Sequence, residues 1–230
     1  YDHKYDTIAM LMHAEHLEDR FGVGPHTVSV PRLREAEGVN LETYPHLVKD
    51  EDFKNLVAIL RLAVPYAGMI LSTREESSFR DEVIKLGISQ VSAGSATGVG
   101  GYMEAKQGTA AESKEKPQFE VSDHRSPEEI IRGLCQDGYV PSYCTACYRE
   151  GRTGDRFMRL AKSGQIHNIC QPNSLLTFKE YLLDYADEET RLLGEEIIRK
   201  GLDDIPKEAA RKATINRLQR IENGERDLRF

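Results

Sequence analysis

The sequence predicts an α/β fold followed by an all-helical segment. Short apolar runs bounded by glycine or proline alternate with amphipathic helical patterns through residues 1–140 of the 230-residue chain. This alternation is typical of a parallel sheet with helices on both faces. Residues 141–230 carry a loop and then helical patterns. We therefore predict two domains, an α/β part over residues 1–140 and a helical part over residues 141–230.

The first elements are a helix and a short strand. Apolar residues at helical spacing predict a helix over residues 5–20, and Gly22 is suited to end it. The β-branched run at residues 27–30 predicts a strand that ends at Pro31. Because the chain opens on this helix with no strand pattern before it, we expect a fragment of a longer α/β domain.

Two further pairs of helix and strand follow. Three acidic residues at 50–52 precede a helical pattern that ends at a proline, and acidic side chains favour the positive end of a helix. A buried strand is predicted over residues 68–73. Ser77 and Ser78 are the predicted caps of a third helix, which leads to a third strand over residues 88–92.

The rest of the chain is predicted to form a loop and three helices. Residues from about 95–122 are rich in Gly, Ala, Thr, Lys and Glu without a period, which predicts a flexible loop. Ser126 and Pro127 are suited to open a helix as its cap and first residue. Two long helices complete the chain, one starting at the cap Thr177 and one starting at Pro206.

Composition and charge exclude several classes of function. The chain is 39% hydrophobic and 30% charged, and its formal net charge of −7 argues against nucleic acid as the main partner. No apolar run approaches the roughly 20 residues of a membrane span. Four cysteines, three of them clustered, do not resemble a secreted disulfide framework. We expect a cytoplasmic protein with no nucleic-acid partner and no membrane partner.

Three of the four cysteines form a C-x2-C-x22-C pattern. Cys144 and Cys147 belong to the segment Y-C-T-A-C-Y-R-E-G-R-T-G, and Cys170 follows after twenty-two further residues. This is metal-ligand spacing, and three thiolates suit a cubane iron–sulfur cluster whose fourth iron stays open for chemistry. The fourth cysteine, Cys135, lies in a helical pattern and is predicted to be a small buried side chain.

Spacing alone leaves two other interpretations of these cysteines open. His167 could complete a structural Cys3His zinc site with Cys144, Cys147 and Cys170. A redox-active dithiol would instead need the C-x2-C pair at a strand-to-helix turn, and Cys170 would then have no role.

Polar residues also stand at the predicted strand ends. Arg74 follows the second strand and Ser92 ends the third, where α/β barrels place substrate-binding groups. A guanidinium at such a position is suited to grip a carboxylate, with the Ser92 hydroxyl beside it. The alternative for Arg74 is a surface ion pair with Glu75 or Glu76. His26 stands at the entrance of the first strand, where a hydrogen-bonding loop residue is the simpler interpretation.

Five segments of the chain together resemble the radical S-adenosylmethionine (SAM) tyrosine lyases that mature [FeFe]-hydrogenase. They are G-V-G-P-H-T-V-S-V-P-R (22–32), L-S-T-R-E (71–75), S-Q-V-S-A-G-S (89–95), the cysteine segment (143–154) and N-S-L-L-T-F-K-E-Y-L-L-D-Y-A (173–186). The α/β half also resembles the 2-iminoacetate synthases of thiamine biosynthesis, which are not expected to carry the three-cysteine segment.

The resemblance implies a fold and a set of ligands. Residues 1–140 would hold the last three strands of a radical SAM (β/α)8 TIM-type barrel, and residues 141–230 would form an all-helical domain for an auxiliary cluster. Cys144, Cys147 and Cys170 would bind an auxiliary [4Fe-4S] cluster, and His26 would ligate an additional iron beyond its open corner. Arg74 and Ser92 would hold the carboxylate of tyrosine.

The resemblance also implies a reaction, its substrates and its partners. The complete enzyme would use SAM to split tyrosine into p-cresol and dehydroglycine. It would convert dehydroglycine to CO and cyanide, which leave as an Fe(CO)2CN synthon bound to free cysteine, and other hydrogenase maturation proteins would be its partners. The family's C-x3-C-x2-C motif, which binds the second [4Fe-4S] cluster that cleaves SAM, is absent from this sequence. We therefore expect these 230 residues alone not to cleave tyrosine.

Overall fold

The computed structural model describes residues 2–103 and 118–230 of the chain. They form two compact units, of which the first ends at Ser126 and the second spans Pro127–Phe230. The predicted loop at about 95–122 lies partly outside the described residues. No helix in the described ranges is both long and apolar enough to cross a membrane.

Helices and strands alternate in the first unit. In chain order they are α1 (His3–Phe21), β1 (Thr27–Ser29), a 3-10 turn (Leu41–Thr43), α2 (Asp50–Ala63), β2 (Gly68–Leu71), α3 (Ser77–Ile84) and β3 (Gln90–Val91). β2 lies between β1 and β3, and both pairings are parallel. The predicted parallel sheet is confirmed, and its strands are shorter than the sequence pattern indicates.

The ends of α1 show why its sequence forms a helix. The Asp2 carboxylate accepts a hydrogen bond from the Tyr5 backbone N–H at 2.8 Å, which satisfies one of the free donors at the helix start. Gly22 ends the helix with a φ of 70°, in the left-handed region that glycine adopts without a steric cost. The predicted end at Gly22 is confirmed.

The core of the first unit combines one face of β2 with one stripe of α2. Met69 and Leu71 alternate with half-buried positions along β2 and are 1% and 2% exposed. Val57 and Leu60 of α2 are fully buried. Because a strand buries every second residue and a helix every third or fourth, both elements direct one apolar face inward.

Arg61 fixes the amino edge of the sheet. Its guanidinium donates hydrogen bonds to the Gly87 carbonyl at 2.9 Å and to the Ala67 carbonyl at 2.9 Å. Gly87 has a φ of 111°, and a Cβ added there would lie 2.7 Å from the Arg61 Cγ. This glycine is therefore required by both its backbone conformation and the close approach of Arg61.

The second unit is helical throughout its regular structure. Its helices are α4 (Pro127–Gln136), α5 (Ala146–Arg149), α6 (Gly154–Lys162), α7 (His167–Asp184), α8 (Glu188–Asp203) and α9 (Glu208–Glu222). α7 packs against both α8 and α9, and its Leu175, Leu176 and Leu182 are fully buried. Gly194 of α8 lets the helices approach, since a Cβ there would lie 2.5 Å from Leu182.

The structure corrects three predicted helix starts. Ser77 is the first residue of α3, and Glu76 is its cap. The start predicted at Thr177 is wrong, because α7 begins at His167 and continues through Pro172. Thr177 lies inside the helix, where its hydroxyl donates to the Asn173 carbonyl at 3.0 Å. Its side chain therefore does not cap the start of a helix.

The third correction concerns the long region before the last helix. Two helices, α7 and α8, occupy it where the sequence predicted one. α8 starts as a separate helix because Asp187 caps it by accepting a hydrogen bond from the Thr190 N–H at 2.8 Å. The last helix starts at Glu208, two residues after the predicted Pro206.

α4 belongs to the core of the second unit. Its Ile131 and Cys135 are buried in the cluster that the inner faces of α7 and α8 form, and Cys135 is 3% exposed as predicted. The sequence predicts this helix within the domain of residues 1–140. The compact units divide instead before Pro127, because the apolar face of α4 packs on α8.

Candidate functional site

The residues predicted at strand ends lie at two opposite edges of the sheet. Arg74 follows the carboxyl end of β2, and Ser92 directly follows β3. The Ser92 N–H donates to the Leu71 carbonyl at 3.1 Å, which continues the ladder to this edge. His26 directly precedes β1, and its carbonyl accepts from the Gly68 N–H at 2.8 Å. Since four residues of β2 span about 13 Å, the two edges provide separate sites.

Arg74 does not form the ion pair that was the alternative to a substrate role. Glu75 is 1% exposed and pairs with Arg32 and Arg34, the latter at 2.7 Å. The Arg74 guanidinium lies 3.8 Å from the centre of the Phe119 ring and donates to the Arg32 carbonyl at 3.4 Å. Within residues 2–103 and 118–230, no carboxylate contacts it, so its charge is available for an anionic ligand.

A buried ion pair supports the backbone at Ser92. Arg80 donates to the Ser92 carbonyl at 2.5 Å and pairs with Asp123. The side chains of Arg80 and Asp123 are 1% and 0% exposed. Burial opposes ionisation of Asp123, yet hydrogen bonds from Arg125 and Arg80 outweigh it and lower the pKa of Asp123 to about 2. The charged pair therefore persists at neutral pH and fixes this edge of the sheet.

Sequence reasoning missed this supporting pair. Arg80 and Asp123 are separated by 43 positions along the chain, so neither helical nor strand spacing relates them. An Arg inside a helix and an Asp shortly before the next helix are common surface features. Their burial, which makes the pair informative, arises from the tertiary fold.

A cavity of about 500 Å³ in the same unit lies apart from the predicted residues. Its lining comes from α1, β1, α2 and the segment between β1 and α2, with Arg32, Arg34, His3 and His46 among its polar groups. Arg74, Ser92 and His26 do not line it. The cavity is therefore not the carboxylate site that the sequence predicts.

The three clustered cysteines lie on two adjoining parts of the second unit. Cys144 lies two residues before the short helix α5, Cys147 lies within α5, and Cys170 lies in the first turn of α7. All three are free thiols; Cys144 and Cys170 are exposed and Cys147 is half-buried. The fold thus brings the ends of the C-x2-C-x22-C pattern to one region, as a shared ligand set requires.

The surroundings of Cys170 favour its protonated thiol. Although Cys170 is exposed as a residue, packing around its sulfur, together with the nearby Cys147 and Cys144, raises the pKa of Cys170 to about 11, and Arg152 opposes this shift. Three mutually repelling thiolates call for a cationic centre among them. The donor set therefore fits a cluster, which three thiolates and one open position can hold.

The side chains are not closed around a common point. Among the described residues, no group of three or more His, Cys, Asp and Glu side chains is arranged closely enough to hold a metal ion. This holds for the zinc set that includes His167 as well as for the three cysteines. Binding of a metal centre would therefore require the thiol side chains to change orientation.

Two contacts anchor the segment before Cys144 on α7. The Ser142 hydroxyl lies 2.9 Å from the Thr177 hydroxyl and accepts from the Cys144 N–H at 3.3 Å. The Tyr143 ring packs on the Tyr181 ring, with centroids 5.9 Å apart. Thr177, which the sequence suggested as a helix cap, instead holds the cysteine loop.

The chain is similar to proteins of two related kinds. Residues 29–140 match the Biotin and Thiamin Synthesis associated domain family. The 2-iminoacetate synthase of Escherichia coli (strain K12) is 34% identical over 139 residues, which are 60% of this chain and 34% of that protein. The 2-iminoacetate synthase of Salmonella typhimurium is 37% identical over 134 residues, which are 56% of this chain and 33% of that protein.

Two solved structures are similar over nearly the whole chain. A crystal structure of HydG, described as a maturase of the [FeFe]-hydrogenase, is 63% identical with a TM-score of 0.92 and covers 100% of this chain and 48% of that one. The X-ray structure of the FeFe-hydrogenase maturase HydG from Carboxydothermus hydrogenoformans is 37% identical with a TM-score of 0.70 and covers 95% of this chain and 45% of that one.

The extent of these matches separates the two kinds of relative. The domain family match ends at residue 140, before Cys144, whereas the first HydG structure covers the cysteine segment with the rest of the chain. The chain spans about half of the length of the HydG structures and about a third of the curated relatives. The chain belongs to the HydG family and corresponds to its C-terminal part.

Proposed function

We propose that the chain carries the substrate-carboxylate site and the auxiliary-cluster domain of a radical SAM tyrosine lyase of [FeFe]-hydrogenase maturation. The observation that supports this most directly is the set of three neighbouring free thiols in a chain that matches a HydG structure over its whole length. The overall reaction would split tyrosine to p-cresol and dehydroglycine and convert dehydroglycine to CO and cyanide for an Fe(CO)2CN synthon.

Arg74 and Ser92 are the proposed holders of the tyrosine carboxylate. Both follow parallel strands at the carboxyl edge, where (β/α)8 barrels bind their substrates. Arg74 contacts no carboxylate in the described parts of the chain, so its guanidinium can form two parallel hydrogen bonds to the substrate. Arg80 and Asp123 would keep the backbone beside Ser92 in place.

Cys144, Cys147 and Cys170 are the proposed ligands of an auxiliary [4Fe-4S] cluster, and His26 is the proposed ligand of its additional iron. When bound, the cluster would supply an open iron position for the small products CO and cyanide. The thiols must lose their protons to bind it, so metal binding would have to overcome the raised pKa of Cys170. Free cysteine would carry the product away.

A 2-iminoacetate synthase is the second candidate function. It is favoured by the similarity of the α/β part to two curated 2-iminoacetate synthases. In that case tyrosine would still be cleaved, but the cysteine domain would have a structural role only. The two candidates share the Arg74 site and differ in the use of the thiols.

One experiment separates these functions in a polypeptide of the relatives' full length, with p-cresol, cyanide and iron measured under anaerobic conditions. We expect Cys144→Ala with Cys147→Ala to leave p-cresol formation intact and to abolish the cyanide-bearing iron product. Arg74→Ala should raise the KM for tyrosine by about 10- to 100-fold, because it removes a charged hydrogen-bond pair. His26→Ala should lose the additional iron and retain the cluster.

The outcomes distinguish the candidates. Arg191→Ala, a change of an exposed arginine on α8, is the control for Arg74→Ala and should leave the KM unchanged. If the cyanide-bearing product persists without the cysteine pair, the cluster role is wrong and the synthase is favoured. A colourless protein with stoichiometric zinc would support a structural zinc domain instead.

A further inference from the structure

Residues 225–230 form an extended segment that contacts both cysteine-bearing parts of the second unit. No helix or strand includes them, yet their side chains and backbone make a dense set of polar contacts. These contacts reach the segment that follows Cys147, α7 from Asn173 to its end at Asp184, and α9. We call residues 225–230 the strap.

Three contacts join the strap to the loop after Cys147. Arg149 pairs with Asp227, and the Arg229 Nε donates to the Glu150 carboxylate at 2.7 Å. The Arg152 guanidinium donates to the Phe230 carbonyl oxygen at 2.6 Å. Three loop residues within five positions of Cys147 are thus held by the strap.

The other side of the strap is fixed to α7. The Asn173 side chain, three residues after Cys170, accepts from the Phe230 N–H at 2.8 Å and donates to the Phe230 oxygen at 3.4 Å. Asn173 is 2% exposed, so this clamp is rigid. The Asp227 N–H donates to Glu180 at 2.6 Å, further along the same helix.

The cysteine loop needs such support because it has little packing of its own. α5 has four residues, of which Ala146 is the buried one. Short exposed segments with few apolar contacts open easily. The anchor through Ser142 and Tyr143 holds the loop before Cys144, so the strap supplies the anchor after Cys147.

Arg152 links the strap to the thiols. Its backbone N–H donates to the Cys147 carbonyl at 2.8 Å, while its guanidinium contacts the strap at Phe230. Its Nε is buried and has no hydrogen-bond partner in the described structure. A buried N–H without an acceptor is unfavourable, and the sulfur atoms of a bound cluster would provide one.

We propose that Arg152 and the strap are a positioning device that keeps the segments of Cys147 and Cys170 at the spacing that a cluster requires. Arg152 would donate its Nε–H to a cluster or cysteine sulfur, while its guanidinium also donates to the Phe230 oxygen, which Asn173 holds in place. The proposal rests on the proposed function, since it assumes that the three thiols bind a cluster. Outer partners of metal ligands commonly change metal affinity or activity by about 10- to 100-fold.

The test compares variants of the 230-residue chain after anaerobic reconstitution with iron and sulfide. Arg152→Met should lose the cluster to a chelator about 10- to 100-fold faster than the parent chain, followed by visible absorbance and by acid-labile sulfide. Arg152→Lys should resemble Arg152→Met, because an ammonium cannot bridge the Phe230 oxygen and a sulfur in one plane. Arg159→Met changes an exposed ion pair on α6 and should behave as the parent.

A second variant tests the strap without a change in the buried region. Arg149→Met with Arg229→Met removes two exposed strap contacts and should also speed cluster loss. In the cluster-free chain, both variants should increase hydrogen exchange over residues 145–152. Far-UV circular dichroism and thermal unfolding identify any variant that fails to fold.

The results separate this proposal from the proposed function. If the parent chain binds no iron and sulfide, the cluster role fails. The exchange data still test the strap in that case, and unchanged exchange over residues 145–152 overturns it. If the parent binds a cluster and both variants release it at the parent's rate, the positioning role is wrong while the cluster role stands.

Discussion

The two candidate sites are built in different ways. At the sheet edge, Arg74 and Ser92 follow strands whose backbone is fixed by the fully buried pair of Arg80 and Asp123. In the second unit, Cys144 and Cys147 lie on a loop that surface ion pairs and hydroxyl contacts hold to α7. The first site is fixed by the core of its unit, and the second is held by contacts that water can replace.

The difference corresponds to what each site would bind. A carboxylate-binding site binds most tightly when its hydrogen-bond donors are already in position, because few side chains then lose conformational freedom when the substrate binds. A metal cluster forms strong bonds to its ligands and can order a loop as it binds. The exposed thiols and the missing ligand geometry of the cysteine loop are consistent with such coupled ordering.

The largest effect on stability is expected for Asp123→Asn. This change leaves the Arg80 charge buried without its counterion, and loss of one partner from a buried pair costs about 3–5 kcal/mol. The free energy of unfolding in urea should fall by that amount. Asp155→Asn, which breaks the exposed pair with Arg159, is the matched control and should cost less than about 1 kcal/mol. Equal effects of the two changes would show that burial is not what supports the first site.

The same pair predicts a dependence on pH. The folded-state pKa of Asp123 is about 2, whereas an unperturbed aspartate titrates near 3.9. Because the folded pKa is the lower one, the ionised pair stabilises the fold above about pH 4, and this contribution is lost as the pH falls toward 2. The stability difference between the parent chain and Asp123→Asn should narrow over that interval in urea titrations. A difference that stays constant from pH 5 to pH 2 would contradict the assigned pKa.

Local signals made part of this fold predictable. Gly22 ends α1 as expected, and the parallel sheet follows from apolar runs between amphipathic helices. The cysteine pattern was visible because metal ligands recur at short spacings. By contrast, the Thr177 prediction was wrong, because a threonine with Glu180 three residues later resembles a helix cap although α7 already begins at His167.

The supporting residues of both sites could not be predicted in this way. Arg80 and Asp123 are 43 positions apart, and Arg149 and Asp227 are 78 positions apart. Charged residues at such separations have no spacing that distinguishes a partner from any other surface charge. Their roles depend on which segments the tertiary fold brings together, and a single sequence carries no local record of that.

The smallest effect is expected at the anchor before Cys144. Thr177→Val removes the hydroxyl that lies 2.9 Å from the Ser142 hydroxyl and keeps the β-branched shape, so helix propensity changes little. Loss of one such hydrogen bond costs about 1 kcal/mol, which corresponds to about fivefold more frequent opening of the loop if the opening is local. Hydrogen exchange over residues 142–147 should rise accordingly, with little change in global unfolding.

Thr214→Val is the matched control, since the Thr214 hydroxyl makes the same bond within its own helix, to the Ala210 carbonyl at 2.8 Å, and it should leave this segment unchanged. If Thr177→Val left the exchange at the parent's level, the loop would be held by other contacts. The contact between Ser142 and Thr177 would then not be one of the surface contacts that hold the cysteine site.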